Sequence, residues 1–169
     1  MPDEPFRLRV LKALTDHLKT VEGLENTVDD YGRPQPHVYR GRDIFGENDP
    51  LPIVSILEDP NDAPVMDASG PRTAVVARWR LIVQGFIQDD IENPTDSAYM
   101  MSAKVVRAIA QLKAQRRNIL GFGDRQPCIT DIEVGFPVVR PADGEVSSVS
   151  FFYMNVTLHL VEDLENPFQ

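Results

Sequence analysis

The chain has 169 residues, 42% hydrophobic, 25% charged and 8% aromatic, which suits one domain over residues 1–169 and excludes a fibrous or disordered chain. Its net charge of −9 argues against a grip on nucleic acid or on an anionic membrane, since both need a basic surface. Cys128 is the only cysteine, so an internal disulfide or a zinc ribbon is ruled out. The opening MPDEPFRLRV puts acids where a secretion signal has its basic region, and no apolar run reaches the length of a membrane span. The expectation is a protein made and kept in solution, in a reducing compartment.

Residues 3–22 predict a helix, with Asp3 as its cap, Pro5 tolerated in the first turn and Gly23 as its stop. Phe6, Val10, Leu14, Leu18 and Val21 form one stripe, joined by Leu11, while Arg7, Arg9, Lys12 and Lys19 take the outer positions. Residues 24–36 read as loop, 37–42 as a short strand, and LPIVSILE as a buried strand ending near Glu58. The next segment, 59–72, has no periodicity and is broken by prolines. It reads as a long loop or arm of the kind kept for a function.

TAVVARWRLIVQGFIQ then predicts a strand of about double the usual length. Trp79, Leu81, Val83, Gly85 and Ile87 fall on one face, and Arg78, Arg80, Ile82, Gln84 and Phe86 on the other. After the acidic turn, Asn93 as N-cap, Pro94 at the first helical position and Asp96 as capping acid open a second helix. Ala98, Met101, Val105, Ile109 and Leu112 give it an apolar stripe that can cover the Trp79 face. Gly121-Phe122-Gly123 reads as a turn. CITDIEVGFPVV follows as a strand bent at 135–137, Ala142-Asp143-Gly144 as a hairpin turn, and VSSVSFFYMNVTLHLVED as a long antiparallel strand before a short tail at 162–169. The order α-β-β-β-α-β-β groups its strands and helices, which makes the class α+β with a mainly antiparallel sheet and two helices packed on it.

Chemistry is sparse. His17, His37 and His159 sit on separate elements without metal-ligand spacing, and Cys128 reads as a buried structural thiol. No nucleophile elbow, phosphate loop or dinucleotide fingerprint occurs, so no catalytic or cofactor-binding residue is assigned and a role other than enzyme is expected. Asp89, Asp90, Glu92 and Asp96 offer two readings. Glu92 and Asp96 have a plain role as first-turn charges of the second helix, or the cluster, through Asp89, Asp90 and Glu92, holds a divalent cation in a small metal-binding domain or enzyme. Arg78 and Arg80 also stand open between an ion-paired sheet face, with Glu133 as partner, and a subunit interface.

The order of these elements, with PIVSILED, a proline-rich acidic loop and then W-x-L-x-V-Q-G-F-x-x-D-D…N-P-T-D-x-A-Y, resembles the tail terminator (tail completion) proteins of long-tailed bacteriophages. The Gly41-Arg42…Phe45-Gly46 stretch adds to the likeness, which covers roughly residues 6–115 and contains no catalytic motif. The resemblance implies a small α+β subunit that forms a ring, commonly a hexamer, on the end of the tail tube. Such a ring stops tube polymerisation and presents the surface on which a head-completion or connector protein docks. Its partners are then further copies of itself, the tail tube protein and the connector. It needs no cofactor, no membrane and no specific nucleic-acid contact, although DNA passes through the ring, and it resides at the head-proximal end of the virion tail, after assembly in the host cytoplasm. A head–tail joining protein of the neck with the same fold is the related alternative. On this reading the expected contact residues are Arg78 and Arg80, the arm residues Asp62, Val65, Met66 and Asp67, and Arg116 and Arg117 closing the second helix.

Overall fold

A computed structural model describes residues 4–46, 48–59, 65–66, 74–115, 119–122, 128–139 and 149–168. Its elements run α1 (Phe6–Leu18), β1 (Thr27–Val28), β2 (Pro34–Gln35), β3 (Val38–Arg40), β4 (Ile53–Glu58), β5 (Val65–Met66), β6 (Ala74–Gln88), α2 (Asp96–Ala114), β7 (Cys128–Val134), β8 (Val138–Val139) and β9 (Val149–Asp163). One sheet has the order β3-β4-β6-β9-β7, with β5 also paired to β6 and β8 to β9. Only β3 and β4 are parallel; the other described pairs are antiparallel, and the class is α+β. No described helix is long and apolar enough to cross a membrane.

The centre of the sheet is the β6–β9 ladder, paired without a break from Ala74↔Asp163 to Gln88↔Val149. Alternation along β6 sends Val75, Ala77, Trp79, Leu81, Val83 and Gly85 inward, opposite Leu158, Val156, Met154 and Phe152 of β9. The α2 stripe of Ala98, Met101, Val105, Ile109 and Leu112 is buried in the same cluster as Phe6, Val10, Leu14 and Leu18 of α1. Both helices therefore cover one face of the sheet. At Gly85 a Cβ would stand 2.3 Å from the Phe152 ring, so that ring lies directly on the β6 backbone.

Trp79, 1% exposed, is held from several sides. Its indole Nε1 donates to Glu58 Oε1 at 3.1 Å, and the Arg7 guanidinium stands 5.5 Å from its ring. Arg7 in turn grips Glu162 through two bonds of 2.7 and 2.6 Å. The Phe6 N–H, which has no partner inside the helix, donates to the Pro167 carbonyl at 2.8 Å. The segment expected as a short tail thus begins with the end of β9 and closes the start of α1.

Several boundaries differ from the sequence reading. The first helix ends at Leu18, and residues 19–23 continue as turns, with Thr20 and Val21 bonded to carbonyls three residues back and Gly23 at φ 91°. The N-cap residue of α2 is Thr95, not Asn93, because Asp90 Oδ1 collects the N–H groups of Glu92 and Asn93, and the Asn93 carbonyl accepts from Asp96. Residues 24–36 contain the small β1–β2 hairpin, its turn shaped by the Asp29 carboxylate; the Arg33 N–H first, then that of Tyr31, holds this carboxyl below its usual range. Within 59–72, Val65 and Met66 pair with Arg78 and Ala77 as β5. The cause is length: β6 has 15 residues and β4 only 6, so β6 keeps free backbone groups beyond Leu81 for the returning chain to satisfy. Asp3 and the Ala142-Asp143-Gly144 turn lie outside the described residues.

Trp79→Ala is expected to cost about 3–5 kcal/mol in denaturant unfolding. Gly85→Ala is expected to cost about 1–3 kcal/mol, since the buried Phe152 ring has nowhere to go.

Candidate interaction surface

The sheet face turned away from the helices is built by the alternate residues of the same strands. In register across it lie Arg78 with His159, Arg80 with Thr157, Ile82 with Asn155, Gln84 with Tyr153 and Phe86 with Phe151. Ser55 and Leu57 of β4 extend it on one side, and Asp131 and Glu133 of β7 on the other. No described helix covers this face.

One half of it is aromatic. The rings of Tyr39, Phe45, Phe86, Phe151 and Tyr153 follow one another with centroid separations of 5.4, 5.4, 5.3 and 6.0 Å. Those distances are within the range of favourable ring contact. Arg42 stacks over Tyr39 and Phe45 and is fixed by Asp49 at 2.6 Å. Ile53 is fully buried against this side of the sheet, opposite Phe86. The row then opens to solvent: Tyr153 is 41% exposed and Val138, paired with Phe151, 44%. At Gly135 a Cβ would meet the Tyr153 ring at 2.5 Å, so only glycine lets that ring lie across the end of β7.

The other half is polar. Arg80 bonds Glu133 at 2.7 Å, and Asn155 Nδ2 donates to the same carboxylate at 3.1 Å. Arg80 therefore makes the sheet-face ion pair, one of the two readings open to it. Arg78 is exposed, and its backbone lies between β5 and β9. Val65 and Met66 are brought beside Arg78 by the β5–β6 pairing, which joins part of the predicted arm to the predicted arginine pair. Asp62, Asp67, Arg116 and Arg117 lie outside the described residues.

The remaining candidates are dispersed. Asp90 spends one carboxylate oxygen on the turn before α2, and among the described residues no group of three or more His, Cys, Asp or Glu is placed to hold a metal ion. His17 Nε2 is 3.1 Å from the Ala108 carbonyl, which ties α1 to α2. Buried His37 bridges the Pro52 carbonyl and Thr27 Oγ1, while His159 is exposed on the outer face. Cys128 is exposed, contrary to the expected buried thiol, because it opens an edge strand in register with the outward-facing His159.

Sequence reasoning found the arginine half of this surface and missed the aromatic half. The available signal was the period of β9: if Phe152 and Met154 face inward, Phe151 and Tyr153 must face out beside Phe86. Tyr39 and Phe45 join them only through the β3–β4 crossover, for which the sequence carries no local signal. The chain matches no protein-family model and no curated protein sequence.

An exposed sheet-face ion pair is worth little to the isolated fold. Arg80→Ala and Glu133→Ala are each expected to lower unfolding stability by about 1 kcal/mol or less. A double-mutant cycle in denaturant measures it.

Proposed function

We propose that this chain is a structural ring subunit of the tail-terminator kind, whose uncovered sheet face is an assembly surface. The observation that carries this reading is the aromatic row from Tyr39 to Tyr153 on the face that no described helix covers. An antiparallel sheet with one wet face normally places polar residues there. Here that face holds ring after ring, then an arginine cluster, and aromatic and arginine residues are those enriched at protein contacts.

The likeness of WRLIVQGFIQDD and NPTDSAY to tail terminators supplies the particular assembly. In it, copies close head to tail into a ring, of the hexameric kind common to that class, since a heterologous contact closes when its rotation allows. The ring caps the tail tube, ends its polymerisation and offers the connector a docking surface at the head-proximal end of the tail. The work is binding, not catalysis. An acidic ring of this type lets DNA pass without holding it, since like charge repels phosphate.

Val138→Asp and Tyr153→Asp change exposed side chains that the pairing with β9 and β6 places on this face. In cells that also make the tube protein, both variants are expected to leave tubes uncapped and of uneven length, while purified Val138→Asp keeps its melting temperature within a few degrees and Tyr153→Asp, which also loses the ring packed on Gly135, melts lower. Electron microscopy of the tubes reads the result. Tubes that still stop at one length with both variants would remove the sheet face from assembly.

A further inference from the structure

The outer side of α2 carries a second surface, separate from the sheet face. Asp96, Met100, Ala103, Arg107, Ala110 and Ala114 are all exposed, and their spacing alternates four and three residues, so they form one straight seam along the helix. For a solvated helix face this seam is short of charge. It also adjoins large exposed apolar groups: Met100 is 66% exposed, Tyr99 51% and Ile91, in the preceding turn, 98%.

Its charges grade from acid to base. Asp90, Glu92 and Asp96 cluster where α2 begins, Lys104 beside them is paired with Glu22 at 3.1 Å, and Arg107 and Lys113 stand exposed in the second half. Asp96 and Arg107 are separated by about 16 Å of helix axis. Small Ala103 lies midway beside the bulky Met100. A seam whose stretch from Asp96 to Arg107 is acidic at one end, basic at the other and stepped from large to small in the middle is complementary to itself when reversed.

We infer that α2 is a self-docking surface, on which a second copy of this chain packs its own α2 antiparallel across a two-fold axis. With the axis between Met100 and Ala103, Asp96 of each copy faces Arg107 of the other. Each Met100 then enters the gap over the other copy's Ala103, and the acidic turn lies along the partner's Gln111–Lys113 end. The alanines permit close approach of the two helices, whose axial separation follows side-chain size. Charge complementarity selects the occupant: the parallel arrangement would set acid on acid and base on base. A two-fold contact uses the same patch on both copies and stops at two, so it is distinct from a head-to-tail ring contact. It does not depend on the tail-terminator reading.

Charge reversal tests it with the intact chain. In sedimentation velocity at low salt the unaltered protein is expected to form dimers with rising concentration. Asp96→Lys and Arg107→Glu are each expected to weaken self-association by about tenfold or more, because like charges then meet twice in each homodimer. Mixing the two variants restores both pairings, so a heterodimer of about the original strength is expected from two chains that do not pair alone. Met100→Lys, at an exposed position, is expected to abolish dimers without lowering the melting temperature, and it serves if Asp96→Lys weakens the start of the helix. Arg80→Glu, on the sheet face, is expected to leave the dimer intact, which separates this contact from ring assembly. A monomer at every concentration, a mixture that fails to pair, or a dimer indifferent to Met100→Lys overturns the inference.

Discussion

The unbroken register between β6 and β9 is the constraint on which every other placement rests. Side chains alternate along each strand, so a slip of one residue would carry Trp79 and Phe152 out and Arg80 and Phe151 in. The register is held by more than backbone bonds. Phe152 lies on Gly85 on the inner face, and Tyr153, its neighbour, lies on Gly135 on the outer face. Each aromatic ring needs a glycine beside it: Gly85 fixes how β9 meets β6, and Gly135, just past β7, fixes how β9 meets the segment on its other side.

That alignment explains why a single pair of strands serves two roles. Inward, it presents a continuous apolar surface on which α1 and α2 lie, and Arg7, Glu58 and Glu162 satisfy the polar edge of the Trp79 indole and its surroundings. Outward, it produces an aromatic row beside an arginine–glutamate cluster. The core-forming face and the surface offered to other molecules are therefore coupled through the pleat, not through any loop.

Most of the architecture was legible in the sequence because its signals are periodic. The α2 stripe and the alternation from Trp79 to Gly85 could be read residue by residue, and both ended up buried as their spacing requires. Local ends were less legible, since tertiary bonds decide them: Asp90 displaced Asn93 as the organiser of the turn before α2, and the Pro167 carbonyl closed α1 from the far end of the chain. The candidate surface was half legible for a similar reason. Arg78, Arg80 and Phe86 share one strand, whereas the aromatic row draws on three strands and a loop, and only the pairing brings them into line. Cys128 was misplaced because its residue type favours burial while its position at the start of an edge strand does not.

The clasp between α1 and the end of β9 has a kinetic consequence. Arg7 and Glu162 are 155 positions apart, so their contact closes a very long loop. Loop-closure entropy grows with that separation, and contacts of this kind add little until the intervening chain is already ordered. The helix that shields Trp79 is thus tied down by a contact that gains its strength late. Until then the inner face of the sheet relies on α2 alone, and its uncovered apolar part is open to misassociation with other chains.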